Sequence, residues 1–470
     1  MDAIETDGVK CRFRTSFPLD VWPIRVSRVG HAETSTGKKY IDLELKFDGI
    51  EISGWNTDSL ILYLGGDYHG ATDLNYLLHN YLDTIALQAG SSEEIPASAI
   101  KLNAVGFDDD EALLQYPRNA FPAYRLIQEY FLMKEKFLFI ELSGLRQYTR
   151  SISGNSLTIR FYMQEMPVRL PKLANNRFTL HATPAINLFD MPAESIRNDQ
   201  TRAEYLVRPL RNTRNQFDVY SVNRVTARNR KTAETIDYIE SGISHPSMNT
   251  TPVYNTLTRQ AGDDDRQDTY IAFNYPPQHD IGNQETIMLE LTCSNGNYPA
   301  SLKPGDICKP APGFPELISF TNLLQPTEIQ YITEDSSMLW RLVSHLSLNY
   351  LSMANTENLR SMLGLYIFSA SSGNKLEVAN RKRIEGIENI RVESGNRLIR
   401  GMPMRGQTIE VDVNSSNFAS RGDMYLFGRL LDYLFASFSS INSFTEFTLK
   451  DSVTGERFEW PARVGDKPLL

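Results

Sequence analysis

The sequence predicts an α+β, β-rich fold of several domains, with mixed helix-on-sheet modules flanking a mainly antiparallel β domain. Three observations predict it. Ile41, Leu43, Leu45 and Phe47 alternate with polar residues, the period of a half-buried strand. Apolar stripes at helical spacing occur towards both ends of the chain. Between about 150 and 310 those stripes give way to short strand patterns separated by turn residues. The expected domains are an α+β module over 1–149, a mainly β domain over 150–312 and a second α+β module over 313–470. The 470 residues are enough for such a division at roughly 100–200 residues per domain.

In the first module, the apolar run 60–64 ends at Gly65-Gly66 and reads as a short buried strand. Leu74, Leu77, Leu78 and Leu82 place a helix over 71–84. Asp108 and Glu111 have capping-box spacing before Ala112-Leu113-Leu114, so the acidic run 108–111 is read as a helix start in preference to a cation site. Pro122 suits a first turn, and Ala123, Leu126, Ile127, Tyr130 and Phe131 follow as a helical stripe over 121–133. Residues 136–145 are almost continuously apolar, as in a strand covered on both faces.

In the middle domain Ile159, Phe161 and Met163 alternate. Further strands are expected at 177–188, 217–226, 269–274 and 286–293, with a polar surface loop at 228–268. The proline-rich stretch 309–316 reads as a linker. A helical hairpin is expected over 336–366, from stripes at 336–353 and at Leu359, Met362, Leu363 and Tyr366. Residues 371–385 read as loop. A strand at Ile409, Val411 and Val413, a helix carrying Phe427, Leu430, Leu431, Leu434, Phe435 and Phe438, and strands at 444–450 and 457–464 complete the chain. Residues 41–97 and 409–450 share one order of strand, connection, helix and strand, which common helix-on-sheet architecture accounts for.

The chemistry-bearing patterns are sparse. The net charge of −9 disfavours a sequence-independent nucleic-acid binder, and the arginines between 197 and 230 are interleaved with acids. Cys11, Cys293 and Cys308 form no CxxC pair, and Cys293 within LELTC reads as a buried structural thiol. No HExxH, GxSxG, GxxxxGK[ST] or GxGxxG is present. Asp67 and His69 read as a satisfied turn in preference to a ligand pair. No apolar run approaches about 18 residues, and the N-terminus carries no secretory pattern. Missing motifs do not exclude an enzyme, but they make catalysis a poor first reading, and no residue is assigned a catalytic, cofactor-binding or metal-binding role.

The stretch VGFDDDEALLQYPRNAFPAYRLIQEYFLMKEKFLFIELSGL at 105–145 resembles the TssF (VasA/ImpG) family of type VI secretion systems. Gly106, Phe107, Glu111, Tyr124, Arg125, Glu129, Tyr130, Phe131, Lys136 and Phe137 carry the likeness. The chain departs from the family at Gln115, Ala123 and Lys134, which affects local turns. Asn187, Leu188 and Phe189 in FTLHATPAINLF match a second motif. Trp340, Arg341, His345 and Asn349 in LWRLVSHLSLNYLSM match a third, and Arg400 and Gly401 open RGMPMRGQTIEVDV, a fourth. The resemblance implies that these motif residues are structural. It also implies a non-enzymatic baseplate subunit without cofactor, forming a wedge with TssG and a second TssF copy around the spike hub, and supporting sheath assembly for effector delivery. TssK, TssE and VgrG are the implied further partners, with no nucleic acid and no direct membrane insertion. The implied location is cytoplasmic, at the inner face of the inner membrane. Family members carry a mostly helical region before the segment matching 11–26, so the chain is expected to lack that region's contacts. The competing readings are a tail baseplate protein of a contractile phage-like particle and, less favoured, a β-rich hydrolase, which would need a carboxylate pair about 5–10 Å apart in a cleft.

Overall fold

The computed structural model describes residues 1–3, 8–116, 121–212, 216–242, 251–261, 266–276, 284–330, 340, 343, 355–368, 375–399 and 401–465. The fold is α+β and strand-rich. The chain forms two compact units, each discontinuous in sequence. The larger combines 16–184 with 334–470, and the smaller combines 1–15 with 185–333.

In the larger unit, Lys39–Phe47 buries Ile41, Leu43, Leu45 and Phe47 on one face, as the alternation requires. It lies in a five-stranded antiparallel sheet ordered Ile24–Glu33, Lys39–Phe47, Ser156–Met163, Leu82–Ala89, Ile95–Pro96. A second antiparallel sheet runs Phe178–Leu180, Ser59–Leu64, Phe139–Ser143, Lys101–Val105. The third is ordered Ile387–Ile399, Met402–Val413, Ser443–Asp451, Arg457–Val464. Its central pair is parallel and is joined through the helix Arg421–Ser437, the connection parallel strands need. One apolar cluster runs through all three sheets and the helices Tyr68–Asn80, Pro122–Met133, Thr356–Gly364 and Arg421–Ser437.

Several local expectations are corrected. The first helix is Tyr68–Asn80, because the Asp67 carboxylate accepts from Gly70 N at 2.8 Å and starts it early; Leu82 already belongs to a strand. The acidic run starts no α-helix. Asp109–Glu111 is a single 3₁₀ turn, held because the Glu111 carboxylate turns back to Gly106 N and Asp108 N. The strand expected over 136–145 is Phe139–Ser143, preceded by a 3₁₀ turn at Lys134–Phe137. Residues 371–385 are not all loop: Lys375–Glu385 is a helix whose buried residues are Asn380, Arg383 and Ile384, so its inner face looks polar in sequence. The echo between 41–97 and 409–450 is not one topology, in keeping with the expectation that common architecture accounts for it. Ser59–Leu64 and Leu82–Ala89 lie in different sheets, whereas Met402–Val413 and Ser443–Asp451 are neighbours. Of the helical hairpin, Thr356–Gly364 is present with Leu359, Met362 and Leu363 buried, and Trp340 and Val343 are helical; the rest of 336–353 lies outside the described residues.

The smaller unit is built on a sheet ordered Phe189–Pro192, Glu285–Ser294, Asp218–Asn229, Thr235–Glu240, Val253–Gln260, Gln267–Asn274, Tyr205–Leu206, with Ile196–Asn198 also on Glu285–Ser294. Val225, Ile271, Ile287, Leu291 and Cys293 form its core. Two of these strands lie where a loop was expected at 228–268. Tyr238 and Tyr254 are buried there, so these polar strands are anchored by single aromatic side chains.

Candidate functional site

The residues of the 105–145 motif converge on one buried polar knot in the larger unit. The helix Pro122–Met133 begins at a proline whose missing N–H costs nothing there, and it carries Arg125 and Glu129 on its inward face. The Arg125 guanidinium donates to the carbonyls of Phe107 at 3.2 Å and Asp108 at 3.0 Å, and to the Asp109 carboxylate at 3.2 Å. One cation thereby fastens the whole acidic turn. Glu129 accepts from Leu113 N at 2.8 Å and from the Lys136 ammonium. Lys136 is fully buried, and burial pushes its ammonium down to about 8 against the pull of Glu129. Burial likewise pushes the Glu111 carboxyl up, against the two backbone N–H groups that favour its charge.

Gly106 is required by backbone geometry. Its φ is 108°, and a Cβ there would lie 2.8 Å from the Lys136 carbonyl. Aromatic rings cover the knot. Phe107 stacks on Tyr433 at 4.4 Å, Tyr124 on Tyr366 at 5.8 Å, and Tyr130 meets Phe427 at 6.0 Å. Tyr130, Phe131 and Phe137 are themselves buried.

A second cluster adjoins it. Asn380 donates to the Phe131 carbonyl at 2.9 Å, and Arg383 donates to the Asn380 side-chain oxygen at 3.0 Å. Arg383 pairs with Asp423 at 3.0 Å, both almost wholly buried. Asp423 also accepts from the Tyr68 hydroxyl at 2.7 Å and Ala419 N at 3.0 Å. Burial, with the Asp423 carboxylate beside it, holds the Tyr68 hydroxyl well above its usual range. Sequence reading missed Asn380, Arg383 and Asp423. The available signals were an Asn–Arg pair at i, i+3 and a charge inside the leucine-rich helix.

Asn187, Leu188 and Phe189 lie in the smaller unit, apart from this knot in the chain's division. Asn187 donates to the Arg12 carbonyl at 2.7 Å and to the Asn295 side-chain oxygen at 2.9 Å, and accepts from Asn295 N at 2.7 Å. Leu188 is buried, and Phe189 meets Phe217 edge-on at 5.7 Å. Gly401 sits at a strand turn with φ 81°. Trp340 is exposed; Arg341, His345, Asn349 and Arg400 lie outside the described residues. The Asp67 and His69 side chains serve local structure. Asp67 caps a helix and meets Arg177 at 2.9 Å, while His69 contacts the Ala419 carbonyl at 3.0 Å and Asp73 at 3.3 Å. Cys293 is buried, which pushes its thiol up to about 12. Among the described residues, no group of three or more His, Cys, Asp and Glu is placed to hold a metal ion, and no helix is long and apolar enough to cross a membrane. The arrangement braces backbone turns and helix packing with internal charge, the work of a scaffold.

The family model described as "Type VI secretion system, TssF" matches residues 1–467. The chain belongs to the TssF family. Type VI secretion system component TssF1 of Pseudomonas aeruginosa is 27% identical over 524 residues, covering 99% of this chain and 80% of that protein. A solved chain of the type VI secretion TssK-TssF-TssG baseplate subcomplex is similar with a TM-score of 0.84 and 23% identity, over 99% of this chain and 87% of that one. A chain of the type VI secretion baseplate complex is similar with a TM-score of 0.64 and 21% identity, over 99% and 80%. These structural likenesses carry the fold. TssF membership makes the chain a type VI secretion baseplate component, and its motif residues at 106–137 are mostly interior.

Proposed function

We propose that the chain is a non-catalytic wedge subunit of the baseplate, assembling with TssG and with TssK. The observation that carries this reading is the family match over nearly the whole chain. The similar solved chain that belongs to a TssK-TssF-TssG subcomplex supports it. The described geometry agrees with it physically: the motif charges are spent on backbone carbonyls and N–H groups and on one another, and a group so engaged is poorly placed to act on a substrate. In the finer reading, a second copy of the chain shares one TssG, and TssE and VgrG border the wedge. The assembly sits in the cytoplasm against the inner membrane. Residues Gly106 to Phe137 act there as the internal brace that fixes the outer surface.

Co-expression with TssG and TssK from the same secretion system, followed by native mass spectrometry, tests the reading. A complex holding two copies of the chain per TssG is expected. Recovery of the chain alone under conditions where TssG and TssK are folded overturns it.

A further inference from the structure

The strands Ile387–Ile399 and Met402–Val413 form a hairpin longer than the sheet that carries it. The neighbouring strand Ser443–Asp451 begins opposite Arg405, so beyond that point the ribbon is only two strands wide. Three residues of each strand project, Arg397 to Ile399 and Met402 to Met404, roughly 10 Å. Residues 393–398 are exposed without interruption, whereas Met404, opposite Arg397 on the facing strand, is buried. Leu398, opposite Pro403, is 77% exposed, and Met402, opposite Ile399, is 61% exposed. A two-stranded ribbon in water is marginal by itself, and large apolar side chains at its tip are characteristic of contact surfaces.

The charge at the tip selects the partner. Between Glu393 and Glu410 the sequence has Arg397, Arg400 and Arg405 and no acid. Arg397 leans back to Glu446 at 2.6 Å, and with Arg400 and Arg405 the sequence 394–409 still carries net positive charge. Two such tips repel, which disfavours pairing of the hairpin with that of a second copy. A membrane surface is disfavoured too, since residues 393–405 contain no aromatic side chain to anchor in an interface and the chain carries −9 overall.

We propose that this hairpin is a docking arm whose tip, with Leu398 on one face and Met402 on the other, enters an apolar cleft rimmed by acidic side chains on another baseplate protein. The proposal rests on the reading of the chain as a baseplate subunit. The arm adds backbone edge, apolar contact and positive charge at one point, whereas the motif residues at 106–137 stay within the unit.

The full-length chain is co-expressed with TssG and TssK of its own system, and hydrogen exchange at 394–404 is compared between free chain and complex. Slower exchange in the complex is expected. Leu398→Ser/Met402→Ser and Arg405→Glu, each melting as the parent does, are expected to weaken complex formation roughly tenfold or more. Acidic residues of the partner, located by cross-linking to the arm and exchanged for lysine, should restore binding to Arg405→Glu. A complex that forms with unaltered exchange and unaffected variants overturns the arm while leaving the baseplate reading intact. Failure of the parent chain to bind either protein overturns both. Loss in these variants of self-association alone, or of binding to phosphatidylglycerol vesicles alone, overturns the proposal in favour of a second copy or a membrane.

Discussion

The two units bury a carboxylate in different ways. In the larger, Asp423 meets a guanidinium, a tyrosine hydroxyl and a backbone N–H. In the smaller, Glu285 is 2% exposed and is held by the Tyr238 hydroxyl at 2.7 Å and the Asn198 amide at 3.3 Å. Asn198 in turn accepts from the Tyr205 hydroxyl at 3.1 Å. The ionic cluster joins side chains of three helices, where one long arginine spans what short side chains cannot. The tyrosine cluster lies across strands, where rings already stand side by side and a hydroxyl arrives at the right height. Geometry decides which donor is used, and the donor decides what its loss leaves behind: an unpaired buried charge in the first case, one missing hydrogen bond in the second.

The sharpest way to break this comparison is to remove the cation. Arg383→Met strands the Asp423 carboxylate and should cost about 3–5 kcal/mol in urea unfolding of the larger unit. A cost below about 1 kcal/mol would show the cluster to be loosely solvated. Next, Arg383→Met combined with Asp423→Leu removes both charges together, and most of that loss should return. If the double variant is no better than the single, Tyr68 and Asn380 depend on the charges and the cluster is one cooperative network. In the smaller unit Tyr238→Phe should cost only about 1–2 kcal/mol, read as a modest fall in its unfolding midpoint.

The smallest effect is a pH dependence. Lys136 loses its proton near about 8 in the folded chain, against 10.5 when exposed. Between those values the unfolded chain holds the extra proton, so this group's contribution grows as pH rises and is lost as pH falls through about 8. Relative to Lys136→Met, the parent should gain stability from pH 8 to 10, by no more than about 1.4 kcal/mol per pH unit. Parallel profiles for the two proteins would show that Lys136 does not titrate in this window.

Elements with one apolar face were legible in the sequence. Lys39–Phe47, Pro122–Met133 and Arg421–Ser437 each bury the residues whose spacing announced them. Lys375–Glu385 was not, because its inward side chains include Asn380 and Arg383, and a helix that buries polar groups carries no apolar period. Thr235–Glu240 and Val253–Gln260 were hidden for a related reason: their outward residues are polar and one tyrosine each supplies most of the buried area. At the candidate site the sequence identified Arg125, Glu129 and Lys136 as a group but not their roles. Pairing depends on the 3₁₀ turns at 109–111 and 134–137, which place those side chains within reach. Arg383 and Asp423 were beyond its reach because periodicity within a helix says nothing about which distant helix will face it.

Gly422 lies where a Cβ would come within 2.2 Å of the Thr72 backbone, so the helices Tyr68–Asn80 and Arg421–Ser437 touch main chain to main chain. These segments are some 350 residues apart in the chain. On a ribosome adding about 5–20 residues per second, the earlier helix emerges on the order of twenty to seventy seconds before the later one. Throughout that interval Thr72 and Tyr76 lack the surfaces they meet at Gly422 and Tyr425. The first-made part of the larger unit is therefore born incomplete, and its yield in the cell should depend on translation speed and on chaperones that shield it until the last hundred residues arrive.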